Sequence, residues 1–395
     1  MSGPLTGVKV MSFGRALAGP YAAMMLADLG AEVIKIEDPG KGDMARGNGP
    51  FLDDLSSYFL SVNRGKKSVT LNMREEKAKD LVRKLLLETD ILVENFRPGI
   101  MKKMGLDYQA VQKINPRIIY LSISGFGQTG PYSQKPAFDM IAQGMGGTVS
   151  ITGEPGRPPV RVGFSIGDIG AALFAVSATL AALYEREKSG QGQHVDVAML
   201  DSQAALCENA CARYFATGRI PQPMGSRHPL LTPFQVFPTK TDYMVVVTFR
   251  DEEWANLCRV LGREEWIEDE RFKTSAQRTA NHAVLEPMLN EIFMTKPRDE
   301  WLALFDQAGV ISSPVNNIKQ VVEDPQVRER DMVLNVRHTR LGQVQVVGTP
   351  MKFSRTPCRI EKASPDLGEH NEEILAQKLN LSPEDIRRLK EEGVV

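Results

Sequence analysis

Cysteine is scarce in this chain. There are four in 395 residues, Cys207, Cys211, Cys258 and Cys358, too few and too scattered for a disulfide scaffold. Cys207 and Cys211 stand four apart, as on one helix face, but no second pair of ligands accompanies them, and they read as core thiols. The five histidines, His194, His228, His282, His338 and His370, show no metal-ligand spacing, so no metal site is expected. Neither sign of charge is in surplus: 48 Lys+Arg against 49 Asp+Glu leaves −1, which argues against a nucleic-acid surface or a polybasic membrane contact. Residues Met1 to Gly7 show neither a basic n-region nor an apolar h-region. No run reads as the ~18 apolar residues of a membrane span. A cytoplasmic protein is the expectation. Three motifs are missing as well. There is no Gly-x-Gly-x-x-Gly fingerprint, which disfavours NAD, no Walker sequence and no Gly-x-Ser-x-Gly elbow. Carboxylates are left as the candidate chemical groups.

What is present is ordinary globular material, 42% hydrophobic and 25% charged, enough for a sizeable core. The length suggests two domains. Gly7 to Phe13 and Ala31 to Glu37 read as strands around a helix from Pro20 to Leu29, with Pro at its first position and Gly30 past its end. Strand, helix and strand within about thirty residues is a βαβ unit and implies a parallel sheet. Ser68 to Leu71, Ile91 to Glu94, Arg117 to Ser122 and His194 to Val197 continue the alternation, with a charged helix from Glu75 to Glu88. The fold class expected is α/β: a Rossmann-like large domain with an open, mostly parallel sheet, plus a smaller α+β domain. The boundaries fall at 1–217 for the first part of the large domain and 218–324 for the small domain with its proline-rich linker. Residues 325–395 return to the large domain. Within the small domain, Phe234 to Phe249 reads as a hairpin around Lys240-Thr241-Asp242, followed by helical segments bearing Trp254, Trp266 and Trp301. Val333 to Val347 reads as strands around Arg340-Leu341-Gly342, and Asn371 to Leu379 and Ser382 to Glu391 as two amphipathic helices.

The segment Gly163 to Ala172 holds Asp168 with Gly167 before it and Gly170 two residues on, ahead of a small-residue helical run from Ala171 to Arg186. Asp168 is therefore either an N-cap or a carboxylate nucleophile beside backbone that can approach a ligand closely. Asp139, at the start of a second helix, carries the same ambiguity. The loop Phe13 to Pro20, with Arg15, sits where a strand enters a helix, a position that receives anions. The group Arg64-Gly65-Lys66-Lys67 reads as a solvated basic face.

Several blocks in one order carry a resemblance: Arg15 to Pro20, Leu26 to Glu37, Gly42-Asp43, Glu94 to Gly99, Ser124 to Gly127, Pro136 to Asp139, Gly167-Asp168, Pro350 to Ser354 and Leu367 to Asn371. Over nearly its whole length the chain resembles the class III CoA transferases, the formyl-CoA and carnitine CoA transferase family. The resemblance implies an acyl-CoA:carboxylate CoA-transferase with coenzyme A and acyl-CoA as substrates and no permanently bound cofactor. Asp168 would be the nucleophile, passing through aspartyl anhydride and aspartyl-CoA thioester, with Asp139 as supporting carboxylate. An Asp of ordinary pKa, near ~3.9, would be ionised without a base, and backbone N–H groups near Gly167 and Gly170 would receive the oxyanions. CoA would lie along Arg15, Ala16, Leu17 and Ala18, along Leu71 to Arg74, and against Asn95 and Phe96, with Arg97 and Lys103 on its phosphates. The family's interlocked homodimer is likewise implied.

The sequence also departs from the family's pattern. Asp38 and Pro136 stand where formyl-CoA transferase has basic CoA contacts, and Met224 to Pro229 replaces its glycine-rich loop. Phe138 stands where the related α-methylacyl-CoA racemases place a histidine, and Phe cannot move a proton. The racemase reading is thereby disfavoured; a CoA-binding partner subunit of a heteromeric transferase is the other alternative. Arg161, Arg227 and His228 are candidates for holding a second carboxylate, which points to a dicarboxylic donor such as succinyl-CoA.

Overall fold

Runs of β-branched and aliphatic residues punctuated by glycine build the sheet that positions everything else. The computed structural model describes residues 3–395. Its strands are β1 (Lys9–Ser12), β2 (Glu32–Glu37), β3 (Lys66–Thr70), β4 (Ile91–Glu94), β5 (Ile119–Ser124) and β6 (Gln193–Ala198). All neighbours are parallel, in the order β3-β2-β1-β4-β5-β6. That order reverses between β1 and β4, and in such sheets the crevice outside the strand ends at the reversal is where ligands bind.

The period-2 alternation of the strands divides their side chains between two cores. Val10, Val33, Ile91, Val93, Ile119 and Leu121 pack with helices α1 (Ala18–Asp28) and α3 (Ile166–Ser189). Met11, Ile36, Leu92 and Tyr120 face the other way, against helix Glu76–Leu86 and the C-terminal helices Asn371–Leu379 and Pro383–Glu391. Ser382 caps the last of these through the N–H of Asp385 at 3.1 Å. The chain divides into two compact units. One comprises the chain up to Thr148, Arg161–Ala212 and Pro325–Val395; the other comprises Val149–Val160 and Arg213–Asp324. The second unit carries a three-stranded antiparallel sheet (Phe234–Pro238, Tyr243–Val247, Ile311–Pro314) over a core containing Trp254, Trp266 and Trp301.

Four expectations change. Helix α3 starts at Ile166, not after Asp168, because Ser165 takes the N-cap position and the two glycines are helical. It is also long and apolar enough to cross a membrane, contrary to the sequence reading; half of that stretch is buried, against α1 and the sheet. Pro20 is the third residue of α1, not the first. The chain breaks at Cys207 between helices Met199–Leu206 and Glu208–Thr217, so Cys207 and Cys211 are not on one helix; Cys207 is buried and Cys211 half-buried.

The largest correction concerns Arg64 to Lys67. Arg64 is buried and chelates Asp28 at 2.5 and 3.0 Å. Lys66 donates all three ammonium hydrogens, to Pro20 O, Val62 O and Asn63 Oδ1. Lys67 pairs with Glu32 and Glu373. These cations are internal fasteners between β3, α1 and the C-terminal helix, not a solvated face.

Candidate active site

At the crevice between β1 and β4 the two strand-end loops are tied to each other. Asn95 accepts the Arg15 N–H at 2.8 Å and donates to the Arg15 carbonyl at 2.9 Å. Asp43 holds the same loop from below. Its Oδ1 accepts the Ala16 N–H at 2.9 Å, and its Oδ2 takes buried Lys35 at 2.7 Å. Ala16 is thereby kept at φ +59°, a left-handed conformation that costs a non-glycine residue of order 1 kcal/mol or more. Gly19 keeps this approach open, since a Cβ there would stand 3.0 Å from the Asn95 side chain and press on it.

A cleft of about 620 Å³ opens over these loops. Arg15, Ala16, Leu17 and Ala18 line it, as do Asn95, Phe96 and Arg97, and it holds both Asp139 and Asp168. The Arg15 guanidinium lies over the Phe96 ring, 5.2 Å from its centroid. Three expected contacts do not line it. Leu71 is buried in the core on the opposite face of the sheet, while Arg74 and Lys103 are exposed elsewhere. Of the three candidates for a second carboxylate, only Arg161 lines this cleft. Arg227 and His228 belong to the other unit, where Arg227 meets His282 at 3.1 Å and His228 stacks on Phe234. Phe138, at helix α2 (Asp139–Met145), is exposed in the cleft wall.

The two carboxylates are held differently. Asp139 is the first residue of α2, and its side chain is fully engaged. Oδ1 accepts the Gly167 N–H at 2.8 Å; Oδ2 accepts Gln143 Nε2 at 2.8 Å and faces Arg161 at 3.5 Å. Gly167 has to be glycine, because a Cβ would stand 2.9 Å from that same Oδ1. Asp168, in the first turn of α3, is not the N-cap. Its carboxylate accepts the Ala18 N–H at the start of α1. Burial, reinforced by the Asp139 charge, pushes its pKa up to about 7, and the Ala18 hydrogen bond only partly opposes this. The shift runs opposite to the ordinary acidity expected from the sequence.

The expected oxyanion donors change too. The Gly167 N–H is spent on Asp139, and Gly170 is the fifth residue of α3, its N–H turned back into the helix. A hydroxyl that sequence reasoning missed belongs to Tyr58, on the short helix Ser57–Val62, which lines the cleft. Burial, with the charges of Asp168, Asp43 and Asp139, pushes its phenol up to about 12, so it stays a hydroxyl donor at neutral pH. Nothing in the sequence around it says where Tyr58 points.

Comparison with known proteins bears on what this cleft does. Residues 5–371 match the family model described as CoA-transferase family III. The chain is 38% identical over 393 residues to human succinyl-CoA:glutarate CoA-transferase, covering 99% of this chain and 90% of that one. It is 39% identical over 353 residues to the acetyl-CoA:oxalate CoA-transferase of Acetobacter aceti, covering 89% and 90%. The crystal structure of a CaiB/BaiF family protein from Brucella suis matches with a TM-score of 0.87 at 38% identity, over 96% of this chain and all of that one.

Proposed function

Since the chain belongs to CoA-transferase family III and is an acyl-CoA:carboxylate CoA-transferase, we propose that Asp168 is its nucleophile and Asp139 the residue that positions it. The Asp168 carboxylate attacks the thioester carbonyl of the donor. The C–S bond breaks, giving a mixed anhydride and CoA thiolate. The thiolate then attacks the aspartyl carbonyl and expels the donor acid, leaving an aspartyl-CoA thioester. The acceptor carboxylate displaces the thiolate to form a second anhydride. Attack by CoA on the acceptor's carbonyl then releases the new acyl-CoA and Asp168. Covalent catalysis of this kind divides one hard exchange into easier steps and consumes no net proton. CoA lies along Arg15 to Ala18 and against Asn95, Phe96 and Arg97, and Tyr58 donates to the oxyanions.

The observation that carries this reading is the asymmetry of the two carboxylates: Asp139 accepts from the Gly167 N–H and the Gln143 amide and faces Arg161, while Asp168 has one backbone N–H and a raised pKa in the cleft. Acyl-CoA alone should load the protein with a hydroxylamine-sensitive CoA adduct, seen by intact mass and mapped to the Asp168 peptide. An adduct on any other peptide, or none, sinks the assignment.

The acids transferred are dicarboxylic in this reading, supported by the names of relatives and by Arg161, an exposed guanidinium lining the cleft that donates to the Val162 carbonyl at 3.1 Å and faces Asp139 at 3.5 Å. Arg161→Met should raise KM for succinate or glutarate at least ~10-fold, the weight of one charge-assisted contact, while acetate is unaffected. Equal effects on both classes would remove Arg161 from this role. The working protein is an interlocked cytoplasmic homodimer; two differently tagged samples mixed without unfolding should form no hybrids.

A further inference from the structure

The block Leu367 to Asn371 takes no part in the cleft. It stitches the C-terminal segment onto β3, the edge strand. The His370 N–H donates to Ser68 O at 3.0 Å, and the Asn371 side chain exchanges hydrogen bonds with Thr70. Beside this seam lies a separate cavity of about 190 Å³, lined among others by His338, His370, Lys362 and Arg337. At ~30 Å³ per liquid water it has room for one small polyatomic ion and a few waters, and far too little for CoA.

The side chains around it fix its chemistry. His338 is 2% exposed, and its Nδ1 accepts the N–H groups of Arg340 and Leu341 at 3.1 and 3.2 Å. A neutral imidazole that accepts at one nitrogen carries its proton on the other, so Nε2 is a donor. That Nε2 is buried with no partner. His370 repeats the arrangement: Nδ1 accepts the Ser68 N–H at 3.3 Å, which leaves its Nε2–H as a second donor. Lys362 and Arg337 add two cations, and neither has a carboxylate within 4 Å among the described residues. The one carboxylate lining the cavity, Glu369, is already engaged, accepting from Thr339 Oγ1 at 2.6 Å and from the Asp366 N–H at 2.8 Å. Lys66 has no hydrogen left to give. A buried N–H without an acceptor is costly. Water is a poor remedy where the uncommitted groups are chiefly donors and cations.

We propose that this cavity binds a small tetrahedral oxyanion, phosphate or sulfate, between the Nε2–H groups of His338 and His370 and the cations Lys362 and Arg337. Such an ion would lock the segment 337–370 against the edge of the sheet. Its binding would therefore appear as stability and not as catalysis.

The test uses the full-length protein and inorganic phosphate, with chloride at matched ionic strength as control. Phosphate should raise the unfolding temperature saturably, and in 15N-histidine-labelled protein it should shift the Nε2 resonances of His338 and His370. Lys362→Glu and Arg337→Glu, both at exposed positions, should each weaken phosphate at least ~10-fold. Transfer activity in phosphate-free buffer should be unchanged in both. CoA should not displace the phosphate response. No saturable response would mean the cavity holds only water and would overturn the proposal. So would a response that survives both substitutions together, or one that CoA abolishes, since the phosphate would then be sitting in the acyl-CoA cleft.

Discussion

Asp139 and Asp168 stand in the first turns of two helices that meet at one cleft, yet their surroundings differ in kind. Around Asp139 the chain has spent a glycine N–H, a glutamine amide and a guanidinium on one carboxylate. Around Asp168 it has supplied a single backbone N–H and left the rest of the group facing buried surroundings and a like charge. An aspartate that accepts from several donors is held as a structural charge; one that accepts a single N–H keeps acceptor capacity free, which is what the nucleophilic role proposed for Asp168 requires. The difference lies in hydrogen-bond count, not in residue type or helix position.

The comparison breaks most sharply at Asp168 itself. Asp168→Asn keeps the shape and an acceptor for the Ala18 N–H but cannot form the anhydride. Transfer should fall by ~10⁴-fold or more with the fold intact, as expected for loss of a covalent nucleophile. Near-normal turnover, with deamidation ruled out by mass, would make the two aspartates equivalent after all.

Asp139→Asn should act less severely and in a diagnostic direction. Removing its charge removes one of the two causes that raise the Asp168 pKa, burial being the larger. Wild-type transfer at low substrate should lose activity as pH falls through about 7, because the carboxylate must be ionised to attack. In the variant that acid limb should move to lower pH without reaching the ordinary aspartate range, while the rate on the plateau drops ~10–100-fold through lost positioning. A pH profile that does not move would mean that the Asp139 charge is not felt at Asp168.

How much of this was legible in the sequence depends on the kind of contact involved. Strand β4 and helix Asn371–Leu379 have the ends the sequence leads one to expect, and the last helix starts one residue later than expected, with Ser382 as its cap, because hydrophobic period and caps are local signals. Five of the blocks that carry the family resemblance converge on one cleft, through Arg15, Asn95, Ser124, Asp139 and Asp168, while the block Leu367 to Asn371 does not. What stayed hidden was everything decided by distant partners. Arg64 looks like a surface charge until Asp28, 36 residues away, is known to face it. Gly167 looks like room for a ligand until its N–H is found on Asp139. Tyr58 carries no local mark at all. The start of α3 was misplaced because glycines at its second and fifth positions argue against a helix by propensity, and the packing of α3 on α1 overrides them.

The smallest expected effect concerns stability. For Asp168 the folded pKa is about 7 and the unfolded one ~3.9. Between those values the unfolded chain gives up a proton that the folded chain retains. Folding stability therefore falls as pH rises from ~4 to 7 and is level above that. Asp168→Asn has no such proton to lose. Around pH 4 the variant and the wild type should be nearly equal in stability. The variant should then gain progressively, reaching about 2 kcal/mol at pH 8, within the ceiling of ~4 kcal/mol that three pKa units represent. Asp139→Asn should show the opposite sign, because it disturbs a carboxylate whose hydrogen bonds are made; losing them costs ~1–3 kcal/mol. Urea unfolding of both variants and the wild type at pH 5 and pH 8 separates the cases. An Asp168→Asn protein that is less stable at pH 8 would show that this carboxylate supports the fold, and would undo the contrast between the two aspartates.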